Sequence, residues 1–184
     1  MGSEGPPAVT IHVTGFKKFH GVPENPTETI VTGIKDYLKK NGFPKGLILG
    51  SCSILDTAGE GALDSLNKTL QSSITAKDSE TSNPGRVVWK VPIIPEDGAI
   101  SNKRETSVPV EELTSALVSK GYEVMTSDDA GRFVCNYVYY HSLRFSEQNK
   151  TKSLFVHVPL FSTINEETQM RFAASLLEVL ATLY

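Results

Sequence analysis

Apolar and polar positions alternate along this chain in two rhythms. Short runs rich in Val, Ile and Leu stand at Val9–Thr14, Leu47–Leu55, Arg86–Val91, Tyr122–Ser127 and Ser153–Val158, and runs of this length predict strands. Between them apolar residues recur every three or four positions. This spacing predicts helices over Pro26–Lys40 (Ile30, Ile34, Tyr37, Leu38), Gly59–Ser73 (Leu63, Leu66, Leu70), Pro109–Lys120 (Leu113, Leu117) and Phe133–Gln148 (Val134, Val138, Phe145). A last helix runs from about Glu166 to Leu183, with Met170, Ala173, Leu177 and Leu180 on one face. Strand alternating with helix predicts an α/β fold in which a mostly parallel sheet is covered on both faces.

Boundary residues agree with these elements. Asn25-Pro26-Thr27-Glu28 sets a cap residue, a first-turn proline and a glutamate in the order that starts a helix, and Asn165 is the expected cap of the last one. Gly42 and Gly121 follow helix ends. Two stretches fall outside the scheme. Thr75–Gly85 is polar and rich in helix breakers, as a mobile surface loop would be. Pro92–Val108 is long and irregular for a connection in a compact domain, which points to a functional loop or a missing element. No internal repeat is present.

With 184 residues, 39% of them hydrophobic, the chain is sized for one domain over 1–184. A net charge of −3 lacks the electropositive surface that nucleic acid would require. No apolar run approaches the length of a membrane span, and MGSEGPPAV has no secretory core, so a cytoplasmic protein without a membrane partner is expected. Cys52 and Cys135 are the two cysteines, and in a reducing compartment they are expected to be free. With four scattered histidines they give no metal-ligand spacing, so no metal is expected.

The segment Tyr122–Val158 reads as strand, helix, strand. Such a unit puts Cys135 in the first turn of its helix and His157 near the end of its second strand, both on the carboxyl-end rim where open α/β folds bind ligands. A helix N-terminus and a nearby imidazolium both favour a thiolate, so the pair has the makings of a nucleophile and its base. Free cysteine is also among the most buried residue types, so a core role for Cys135 and His157 fits the spacing equally well. The remaining candidates are structural on this reading. His12 lies on a strand, and His20 and His141 are partly exposed. Cys52 is inert in a buried strand, and Asp128 and Asp129 serve as turn and cap residues. Gly59 and Gly61 lack the spacing of a nucleotide loop.

Three motifs in order carry a family resemblance across nearly the whole chain. "TGFKKFHG" (Thr14–Gly21) followed by "NPTE" is similar to the TGF-x-x-F-x-G…NPS opening of the pyroglutamyl peptidases (pyrrolidone-carboxylate peptidases). "SDDAGRFVCN" resembles their nucleophile segment and "FVHVP" their histidine strand, most closely in plant members. This resemblance implies a three-layer α/β/α sandwich and no cofactor. It also implies removal of an N-terminal pyroglutamyl residue from peptides, with Cys135 attacking the carbonyl and His157 acting first as base and then as acid. Phe16, Phe19, Phe133 and Val134 would line the lactam pocket, and Asn25 would help shape that pocket or its loop.

One departure stands out. Family members carry, after the strand matching Arg86–Val91, a glycine-containing loop and a helix bearing the glutamate that orients the histidine. Here Trp89 runs almost directly into "KVPIIPEDG", an internal deletion near 89–92. Neither Glu60, Glu96, Asp97 nor Glu105 is placed to substitute. The expected outcome is a family member with impaired catalysis; the alternative is an inactive variant that binds pyroglutamyl peptides or a partner protein.

Overall fold

The computed structural model describes residues 8–18, 24–57, 59–72 and 92–184. In chain order they form β1 (Val9–Phe16), α1 (Pro26–Asn41), β2 (Leu47–Leu55), α2 (Gly59–Ser72), a 3-10 turn at Pro95–Asp97, α3 (Val110–Ser119), α4 (Val134–Asn149) and α5 (Glu166–Thr182). The fold is α/β. β1 and β2 pair in parallel from Val9 opposite Leu47 to Phe16 opposite Leu55, with a register shift after Ile11. No helix among the described residues is long and apolar enough to cross a membrane.

Helices cover the sheet on both faces because the strands are apolar on both. Ile11, Val13, Leu49 and Cys52 pack with Ile30, Ile34 and Leu38 of α1 and with Met170, Leu177 and Ala181 of α5. Three residues further on, and so pointing the other way, Phe16 and Leu55 join Ala62 and Leu66 of α2 and Val138 of α4. A third cluster of Val108, Leu113, Leu117 and Val179 ties α3 to α5.

The β1–α1 junction depends on one glycine. A Cβ on Gly15 would lie 2.4 Å from the Thr27 carbonyl oxygen and 2.9 Å from Val31 Cγ2, so only glycine lets the strand run this close to the helix. Across the contact the Phe16 N–H donates to the Thr27 hydroxyl at 2.9 Å. Asn25 caps α1 as expected, accepting from the Thr27 N–H at 3.1 Å. Glu28 does not complete the capping pair: its carboxylate takes the Lys18 N–H at 3.0 Å instead. Asn165 caps α5 by accepting from the Thr168 N–H at 2.9 Å.

Two expected strands are absent. Tyr122–Ser127 and Ser153–Val158 lie outside any ladder among the described residues, and a strand exists only through a hydrogen-bonded neighbour. Tyr122 is used otherwise. Its N–H returns to the Leu117 carbonyl at 3.2 Å and that of Gly121, at φ 89°, returns to Val118 at 2.9 Å, which closes α3 in a Schellman turn. Ser153 is held by side chains, its carbonyl accepting from the Thr106 hydroxyl. The Arg86–Val91 strand and the Thr75–Gly85 loop lie outside the described residues.

Candidate active site

Cys135 is the second residue of α4, whose N-terminus carries no side-chain cap; Phe133 occupies the cap position in extended backbone. Asp129 does not serve as the cap. Its carboxylate accepts the Gly131 N–H at 2.7 Å and so closes the preceding turn. No side chain among the described residues caps the first N–H groups of α4, an end that favours negative charge. Burial nevertheless pushes the Cys135 thiol above its usual range, and only a hydrogen bond from its own backbone opposes this. Cys52 is raised by burial too, with Lys35 opposing.

His157 is exposed, and the residues before it lie along α4. The Ser153 and Ser142 hydroxyls meet at 2.6 Å. Two residues on, the Phe155 ring packs on Tyr139 at 5.4 Å, so as the segment advances, α4 is followed back toward its start. Four helical residues rise about 6 Å, and two residues of chain reach at most about 7 Å. This pairing reaches Tyr139, one helical turn after Cys135, and His157 is the next residue but one after Phe155. No hydrogen bond joins His157 to Cys135 or to a carboxylate among the described residues; its ring packs edge-on against Phe155 at 4.9 Å.

The residues expected to form a pocket divide into groups. Phe16 and Val134 both pack against the Leu55, Leu66 and Val138 cluster, and Phe16 also reaches Phe155 at 6.3 Å, so these two share the carboxyl-end rim. Phe133 is 86% exposed. Asn25 is buried with both ends of its amide engaged: beyond the helix cap, its Nδ2 donates to the Lys17 carbonyl at 3.1 Å. Asn25 therefore acts on the loop after β1. Phe19 lies outside the described residues. Beside this rim an exposed ion pair links Lys17 to Asp56 at 2.6 Å.

The irregular Pro92–Val108 stretch is pinned to the other end of α4. Asp97 accepts from Arg104 Nη2 at 2.6 Å and from the Tyr140 hydroxyl at 2.8 Å. Arg104 also pairs with Glu147 and lies over the Tyr140 ring at 5.1 Å. Arg104 pulls the Asp97 carboxyl down, helped by Tyr140. A surface cavity of about 350 Å³ opens here, lined by Asp97, Asn102, Lys103, Arg104, Tyr140 and Glu147, with none of the expected site residues on its wall. Sequence reasoning missed this cluster and the roles of Tyr139 and Phe155. The available signal was spacing, with Tyr139 one helical turn after Cys135 and Phe155 two residues before His157.

Comparison with known proteins gives a consistent picture. A family profile described as pyroglutamyl peptidase matches residues 81–179, a span that contains both Cys135 and His157. A pyrrolidone-carboxylate peptidase of Oceanobacillus iheyensis is 26% identical over 169 positions, covering 81% of this chain and 83% of the relative. Similar proteins of that name from Staphylococcus aureus (28% identical, 81% of this chain and 78% of the relative) and Pyrococcus furiosus (27%, 80% and 79%) match equally broadly. With the profile spanning more than half of its length, this chain belongs to the pyroglutamyl peptidase family.

Proposed function

We propose that this chain is a single-domain cysteine peptidase directed at N-terminally pyroglutamylated peptides, with catalysis much weakened. The observation that carries the reading is the family match across the segment holding Cys135 and His157. In this reading Cys135 Sγ attacks the carbonyl that follows the lactam ring and its proton passes to His157. The tetrahedral oxyanion faces the uncapped N–H groups of α4 and collapses as His157 protonates the leaving amine. Water activated by His157 then hydrolyses the acyl-enzyme. Phe16, Phe19, Phe133 and Val134 wall the lactam site, and Asn25 holds the loop that follows Phe16.

Three observations support weak catalysis. Burial disfavours the thiolate of Cys135, and His157 has no orienting carboxylate among the described residues. The Oceanobacillus alignment also runs over more positions than this chain fills, as gaps in this chain require. Disabling the orienting acid costs about 10⁴-fold in serine triads. The test is a pyroglutamyl-fluorophore substrate with Cys135→Ser as control. Slow release, abolished in the control, is expected, and release equal to the control overturns the enzymatic reading. The same three observations favour one second reading, a binding variant. Its signature is thermal stabilisation by a pyroglutamyl peptide without turnover.

A further inference from the structure

We propose that Phe155 is a positioning residue that selects the orientation of the His157 imidazole; the inference rests on the Cys135–His157 reading above. Phe155 is held on three sides. Its ring lies 6.3 Å from Phe16, 5.4 Å from Tyr139 and 4.9 Å from His157, the last at an interplanar angle of 61°. Tyr139 is itself half-buried, its phenol beside the Thr106 hydroxyl and the backbone of Phe155. The His157 ring has a single aromatic neighbour, and no hydrogen bond fixes it among the described residues.

An exposed imidazole is otherwise free to sample the staggered wells of its first torsion. Edge-to-face packing against a ring that is itself packed on two others favours one of them by up to about tenfold. Among the described residues neither ring nitrogen has a hydrogen-bond partner, so the ring is steered while its proton-accepting atoms stay available to a substrate or thiol. With no carboxylate to orient the histidine, this apolar contact is the orienting interaction that the described residues supply. It fixes where the ring points and does not raise its basicity.

The experiment follows Cys135 alkylation by iodoacetamide between about pH 6 and 9, with Cys52 as the internal standard. Histidine NMR signals are recorded on the same samples. Phe155→Leu is expected to slow Cys135 by up to about tenfold, to move its profile to higher pH and to release the His157 signals from their ring-current shift. Phe155→Tyr is expected to stay within about twofold of the unmodified chain, and Phe155→Met replaces the leucine variant should thermal melts show that variant unfolded. An unchanged Cys135 profile in the leucine or methionine variant, alongside a slowed His157→Ala, overturns the positioning role and leaves the dyad standing. A His157→Ala profile identical to that of the unmodified chain removes the dyad and this inference with it.

Discussion

Gly15→Ala tests the junction on which the whole carboxyl-end rim is hung. The new methyl would lie 2.4 Å from the Thr27 carbonyl oxygen, 2.8 Å from its carbon and 2.9 Å from Val31 Cγ2. Two of these are backbone atoms in the first turn of α1 and cannot swing away, so β1 and α1 must separate. Forced overpacking of this kind costs about 1–3 kcal/mol. The separation also strains the bond from the Phe16 N–H to the Thr27 hydroxyl, worth about 1 kcal/mol. Together these come to about 2–4 kcal/mol, and for a chain of this size each kcal/mol moves the melting midpoint by about 2–4 °C. A fall of roughly 4–16 °C in a circular-dichroism melt is expected. Gly33→Ala is the matched control. Its methyl meets only the flexible tip of Met170 at 3.0 Å, and alanine suits a helix interior better by up to about 1 kcal/mol, so the midpoint should hold or rise. A Gly15→Ala midpoint within about 2 °C of the unmodified chain would refute the close-approach account, as would equal losses in the two variants.

Acid should weaken the fold through His141, whose Nε2 is buried without a hydrogen-bond partner and whose ring stacks edge-on with Tyr137 at 4.7 Å. Burial, reinforced by Arg144, lowers its pKa, and Asp97 opposes. The folded state thus binds fewer protons than the unfolded one once the pH falls through about 6.5, and stability drops on that side. In urea titrations from neutral to mildly acidic pH, His141→Phe should lose this part of the slope; a pH-independent difference between the two proteins refutes it. Beside Tyr140, which adjoins His141 on α4, Arg104→Lys keeps the charge but not the fork that engages Asp97 and Glu147 together. Amide exchange should accelerate across 95–108 while α1 and α5 are unaffected, and unchanged exchange in that stretch counts against the clasp.

What the sequence made legible follows how local each signal is. Helix periodicity and caps are written within a few residues, so α1 and α5 begin at Asn25 and Asn165 as read. Being a strand is not local: Tyr122–Ser127 and Ser153–Val158 have the composition of strands yet lack a ladder neighbour among the described residues. That failure matters for the candidate site, because the reasoning that drew His157 toward Cys135 assumed a strand at 153–158. The segment is held in another way. Ser142 meets Ser153 and Tyr139 meets Phe155, so α4 side chains set the register that ladder bonds were expected to set. A register made by side chains is softer than a ladder, because each rung is a single contact and not a cooperative row of backbone bonds. Aromatic residues at 139 and 155 therefore govern the geometry of the rim more directly than the β-propensity of the segment does. Substitutions there should disturb Cys135 chemistry before they disturb the fold.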